Sequence, residues 1–127
     1  MTSSLTPQFA ITSSRHGAAA IIELRGELDL AVETRLSDEL CRVLAGDPRL
    51  VIIDLRGVSF MDARGIHTLI SARIRCEEQG RRLLLIRGTR FVQRLLAICH
   101  QQLACEFVDS PAQALDRAAS LTELASI

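Results

Sequence analysis

Two short runs, LVIIDL at 50–55 and RLLLIR at 82–87, constrain this chain more than any other feature. Each is apolar almost throughout, which suits a strand covered on both faces. Neither is long enough to cross a bilayer. Between them Ile66, Leu69, Ile70 and Ile74 recur at helical spacing, so an amphipathic helix joins the two, with Gly80 after EEQ as its stop. Two buried strands with a helix between them imply a right-handed crossover in a parallel sheet.

The same logic extends along the chain. FAITSS (9–14) suits a first strand, and in AAAIIELRGEL Ile22 and Leu24 alternate with Glu23 and Arg25, as in a half-buried strand. Gly26 suggests a bulge there. Val32, Leu36, Leu40, Val43 and Leu44 form one helical stripe, with Asp29 placed to cap it and GDP (46–48) to end it. Gly88 and Thr89 introduce a short helix in which Phe91, Leu95 and Ile98 are expected to face inward, and LACEFV (103–108) reads as a last strand. In SPAQ (110–113) Ser110 is an N-cap, Pro111 suits the first helical position and Gln113 completes a capping box. A final helix runs through Leu115, Ala118 and Leu121. The expected architecture is α/β: a flexible tail at 1–8, then one domain over 9–127, with a mixed, mostly parallel sheet of about five strands and four helices.

Composition narrows the function. Basic and acidic residues balance at 15 each, so the net charge is zero, and every basic residue is arginine. That argues against a general affinity for nucleic acid or anionic membranes. Trp and Tyr are absent, which removes the usual platforms for stacking bases. MTSSLTPQF lacks the basic and apolar regions of a signal peptide, and a cytoplasmic protein is expected. Cys41, Cys76, Cys99 and Cys105 form no C-x-x-C pair and are expected to be reduced, small, buried side chains, with a redox switch as the alternative. His16, His67 and His100 are scattered, and no nucleophile, metal or phosphate-loop motif accompanies them. No enzyme, metal site or cofactor is expected.

DLRGVSFMDARG (54–65) is the stretch best placed to present a functional group. It reads as the end of a buried strand, a short loop and the start of a helix, at the carboxyl edge of the sheet where α/β sites gather. Asp62 can cap the helix, leaving N–H groups at 63–65 and a positive dipole end. A phosphate on a side chain at 63 would be stabilised there, yet position 63 is Ala. Gly65 permits close approach of another backbone, Arg64 adds charge at the tip, and Phe60 and Met61 are expected in the core. His67, Thr68 and Ser71 are expected on the outward helix face.

LRGELDLAVETRL (24–36), VIIDLRGVSFMDARGIHTLI (51–70) and LLLIRGTRFVQRLLAICH (83–100), in that order, resemble the STAS domain family of sulfate transporters and anti-sigma factor antagonists. The most specific part is D-L-x-x-V-x-F-M-D-x-x-G. The resemblance spans roughly residues 9–120 and, with no transmembrane stretch, points to a stand-alone bacterial antagonist. It implies a STAS-like fold and a partner-switching role. An anti-sigma factor, often also a serine kinase, holds a sigma factor; the unphosphorylated antagonist binds the anti-sigma factor and frees the sigma factor. Phosphorylation of a serine in an M-D-S-S-G-type motif releases the antagonist. By position that serine falls on Ala63, with Asp62 before it and Arg64 and Gly65 after it; the aspartate of G-E-L-D is Asp29. The implied partner surface is Asp29, Asp62, Ala63, Arg64, Gly65, His67, Thr68 and Ser71, and the implied partner an anti-sigma factor or anti-sigma kinase. The alternatives are a sensor or scaffold that binds a small anion, nucleotide or lipid at the helix N-terminus, and control by phosphorylation elsewhere, at Ser59, Thr68 or Ser71.

Overall fold

The computed structural model describes residues 9–28 and 30–126; the tail at 1–8 and Asp29 lie outside the described residues, as does the Leu121 side chain. Strands β1 (Phe9–His16), β2 (Ala19–Leu28), β3 (Leu50–Met61), β4 (Arg82–Ile86) and β5 (Glu106–Val108) form one sheet in the order β1-β2-β3-β4-β5. Helices α1 (Leu30–Ala45), α2 (Ala63–Glu78) and α3 (Arg90–Ile98) connect β2 to β5 in sequence, a single turn α4 (His100–Leu103) follows α3, and α5 (Pro111–Ser126) comes last. β1 pairs with β2 antiparallel and every other pair is parallel, the mixed sheet that the alternation of strands and helices implies.

β3 is central, and its alternate residues serve two cores. Val51, Ile53 and Leu55 pack with Leu36 and Leu40 of α1, Leu69 and Ala72 of α2, and Val92 and Leu96 of α3. Leu50 and Ile52 face the other way, in a smaller cluster with Ala114 and Ala118 of α5. Asp54 would be the one charge in this strand's interior; Arg56 grips both its oxygens, at 2.9–3.2 Å, so the buried carboxylate is paired.

The structure departs from the sequence reading first in the lengths of two strands. β3 runs on to Met61, because Gly57, Val58, Phe60 and Met61 pair with Arg25, Gly26, Glu27 and Leu28 across two register shifts. The short loop expected here is strand, and a Cβ on Gly57 would lie 2.7 Å from Arg25 Cγ, so the glycine serves a close approach to β2. Gly26, at φ 97, supplies the expected irregularity. β5 is shorter than LACEFV: Leu103 N–H donates to the Cys99 carbonyl at 2.9 Å and Ala104 turns left-handed at φ 49, so extended backbone begins only after Cys105.

The rotation of two helices also differs. α3 buries Val92 and Leu96, leaving Leu95 half-buried and Phe91 and Ile98 exposed. RFVQRLLAI carries two apolar stripes, 91/95/98 and 92/96, and periodicity alone does not choose between them. In α2, Ile66 and Leu69 are buried as expected, but Ile74 is exposed. The capping box is present in shifted form. Ser110 Oγ accepts from Gln113 N–H at 3.2 Å, and Gln113 Oε1 accepts from Asp109 N–H at 2.8 Å, one residue before the cap.

The cysteines divide. Cys76 and Cys105 are buried, while Cys41 is exposed on α1, contrary to expectation. Burial pushes the Cys76 and Cys105 thiols up from 9.0 to about 11. In the native protein a thiol reagent at neutral pH is expected to modify Cys41 at once and Cys76 and Cys105 only after unfolding. Native labelling of the buried pair as fast as Cys41 would contradict this. The unfolded chain ionises these thiols first, so their contribution to stability is complete below pH 9.0 and is lost as pH climbs towards 11.

Candidate partner-binding site

The carboxyl edge of the sheet is built around one residue. Met61 ends β3 buried, Asp62 is extended at φ −117 and ψ −167, and α2 begins at once. Asp62 Oδ1 accepts from Arg64 N–H at 2.9 Å and Gly65 N–H at 3.3 Å, while the Asp62 carbonyl accepts from Ile66 N–H at 3.2 Å. Such a cap is worth about 1 kcal/mol. It also means that two of the three N–H groups expected to be free at 63–65 are already taken. An anion arriving there must displace a carboxylate of its own sign, so of the two features behind the sensor alternative, the free N–H groups and Arg64, mainly Arg64 is left.

Ala63 is the first residue of α2 and is exposed, as are Arg64, His67 and Ser71. With Ile74 they form one outward stripe, because 63, 67, 71 and 74 are spaced by three or four residues. Gly65 is buried instead: a Cβ there would lie 2.5 Å from Met61 Cγ and 3.3 Å from the Leu28 carbonyl oxygen. Its role is to seat α2 against the end of β2.

Thr68 follows Gly65 inward. It is 3% exposed and its hydroxyl donates to the Arg64 carbonyl at 2.9 Å, which satisfies the buried group. The expected outward hydroxyl is therefore committed within the helix, and of the three alternative phosphorylation positions only Ser59 and Ser71 are exposed. Thr68 and Ser71 border a groove of ≈ 380 Å³ between α1 and α2, which Leu36 and Leu40 also line. Arg75 holds the two helices together, donating to Ser37 Oγ at 2.7 Å and to the Ser37 carbonyl at 3.2 Å.

The structure thus brings Asp62, Ala63, Arg64, His67 and Ser71 onto one edge and sends Gly65 and Thr68 inside; Asp29 lies outside the described residues. Reading the sequence missed an aromatic pair on the same edge. Phe60, expected in the core, is 43% exposed and stacks on Phe91, 50% exposed, with ring centroids 5.7 Å apart. No local pattern links these two positions; only the packing of α3 beside the extended β3 does. Among the described residues no cluster of three or more His, Cys, Asp or Glu is placed to hold a metal ion, and no helix is long and apolar enough to cross a membrane.

With this fold and edge described, the model of a known family, the STAS domain, matches residues 10–114. The chain belongs to the STAS domain family. Among curated relatives, this STAS domain is 30% identical over 90 residues to the anti-sigma-F factor antagonist RsfA of Mycobacterium tuberculosis, covering 69% of this chain and 70% of the relative. Solved structures that share the fold include two antagonists. One is an anti-sigma factor antagonist from Mycobacterium paratuberculosis, with a TM-score of 0.74 and 18% identity over 90% of this chain and 97% of that one. The other is the anti-sigma factor antagonist SpoIIAA in its unphosphorylated form, with a TM-score of 0.73 and 19% identity over 87% and 97% of the two chains.

Proposed function

We propose that this STAS domain is an anti-sigma factor antagonist whose binding is not controlled by phosphate at residue 63. The domain docks the Asp62–Ser71 edge on an anti-sigma factor and thereby frees a sigma factor. RsfA, an anti-sigma-F factor antagonist, supports the role. The observation that carries the reading is Ala63 itself, exposed at the first position of a helix that Asp62 already caps. A phosphoserine is what the family resemblance places there, and a methyl group accepts no phosphoryl group. Contact at this edge rests on shape and charge, and no step of chemistry is needed.

The reading makes a direct prediction. Each anti-sigma factor of the source organism, purified and immobilised, is titrated with the antagonist in the presence and absence of ATP. One of them is expected to bind, and prolonged incubation with ATP leaves the affinity unchanged and the 54–65 segment without added phosphate by mass spectrometry. Absence of binding to every anti-sigma factor would sink the proposal. ATP-dependent loss of binding through a modified Ser59 or Ser71 would replace it with control by phosphorylation elsewhere.

A further inference from the structure

The outer face of α3 is the least explained surface of the molecule. Phe91 is 50% exposed and Ile98 is 81% exposed, and Leu95 between them is half-buried, so an apolar stripe runs down the solvent side of this helix. Phe60 extends the stripe onto β3 through its stack with Phe91. Phe60 stands two residues before Asp62, so the stripe ends close in the chain to the edge that carries Ala63 and Arg64. Contiguous exposed apolar surface of this kind marks an interaction site more often than chance.

The charges around it point to the occupant. Among the described residues Arg49, Arg64, Arg90 and Arg94 are the arginines whose guanidinium makes no hydrogen bond, ion pair or ring contact. Two of these flank the stripe on α3, Arg90 and Arg94, and a third, Arg64, stands four residues after Phe60 at the start of α2. No Asp or Glu occurs anywhere between Gln79 and Cys105. Among the described residues Glu27 is paired in register with Phe60, and Asp62 follows it with one oxygen occupied by the cap. Elsewhere on the surface most arginines are matched, as Arg87 is by Asp109 and Arg82 by Glu106. Around α3 the positive charge is left open.

We propose that the Phe60–Phe91–Leu95–Ile98 stripe and Arg64, Arg90 and Arg94 dock an acidic amphipathic helix of the anti-sigma partner. This deepens the proposed function and rests on it. The apolar face of the incoming helix covers Phe91 and Ile98, and its carboxylates meet the three open guanidiniums. A central aromatic with an arginine rim is the composition of an energetic hot spot. It gives the complex an affinity that needs no signal at residue 63, and the arginines steer the encounter.

The test is binding of the full chain to the anti-sigma factor that captures the wild type, measured for Phe91→Ala, for Arg90→Glu/Arg94→Glu and for Arg49→Glu. Arg49 is open too, but it immediately precedes Leu50 at the opposite end of β3, so its reversal controls for net charge. All three sites are exposed, and melting temperatures verify folding. Phe91→Ala is expected to weaken binding about 30-fold. The α3 double reversal is expected to slow association at least about tenfold and flatten its dependence on salt, with Arg49→Glu like the wild type. Equal affinity of folded wild type and all variants would overturn the α3 site and leave the antagonist role standing. Failure of the wild type to bind any anti-sigma factor would overturn both. Vesicles of phosphatidylglycerol are the second probe: sedimentation with them that the α3 reversal abolishes, with partner affinity intact, would assign this face to lipid and overturn the proposal.

Discussion

A glutamate at position 63 is expected to leave the fold intact and to weaken binding of the anti-sigma partner by about 100-fold, the scale on which an unpaired charge in an interface is felt. The two effects separate because of where residue 63 lies. It is exposed and opens α2. An acidic residue in the first turn of a helix is favourable by about 0.3–1 kcal/mol, and repulsion from Asp62 offsets part of that. The net change in stability is therefore small and the melting temperature should barely move. In the complex the same carboxylate lies where the resemblance places a releasing phosphate. Titration calorimetry of Ala63→Glu beside wild type decides the matter: a dissociation constant equal to that of the wild type would mean that this edge is not the interface. Ala63→Ser makes the complementary point. It should bind like the wild type, and it becomes a phosphate acceptor only if a kinase tolerates Arg64 beside it.

The second large effect is on the fold. Gly88→Ala is expected to destabilise the domain by about 2 kcal/mol, an overpacking cost. A Cβ there would lie 2.5 Å from the Leu55 carbonyl oxygen and 3.2 Å from its carbon. Those atoms are backbone of the central strand, and Leu55 is fully buried, so the strand has nowhere to retreat. The loop must move instead, against the Arg87 N–H bond to the Val108 carbonyl at 3.0 Å that ties it to β5. For a domain of this size the melting temperature should fall by about 8 °C. The displacement would carry α3 with it and pull Phe91 away from Phe60, so partner affinity should fall as well. A melting temperature within about 1 °C of wild type would show that the contact is slack.

Much of this molecule was legible before any coordinates. The strands and helices, their order and the mixed sheet follow from alternation of two-residue and 3.6-residue apolar periods, and Asp62, Thr89 and Ser110 announce helix starts by their side-chain chemistry. The site was legible where it depends on chain order: Asp62, Ala63 and Arg64 must be adjacent, and a strand followed by a helix places them at the carboxyl edge. It was not legible where it depends on rotation or on pairing with a distant strand. Thr68 and Ile74 exchange the sides expected of them because Gly65 lets the start of α2 sink against Leu28. That contact joins residues far apart in the chain and leaves no periodic trace.

By itself the sequence determined the class of fold, the helix that starts at residue 63 and the absence of a hydroxyl there. These are local matters: side-chain period, cap chemistry and the identity of one residue. Only the tertiary structure decided which of two apolar stripes on α3 would be buried, how far β3 would run, and that Phe60 would meet Phe91 in the open. Those outcomes depend on which surfaces fit together after the sheet has formed. Packing against β3 buries Val92 and Leu96, and what remains outside is the apolar stripe of Phe91, Leu95 and Ile98 with Arg90 and Arg94 beside it.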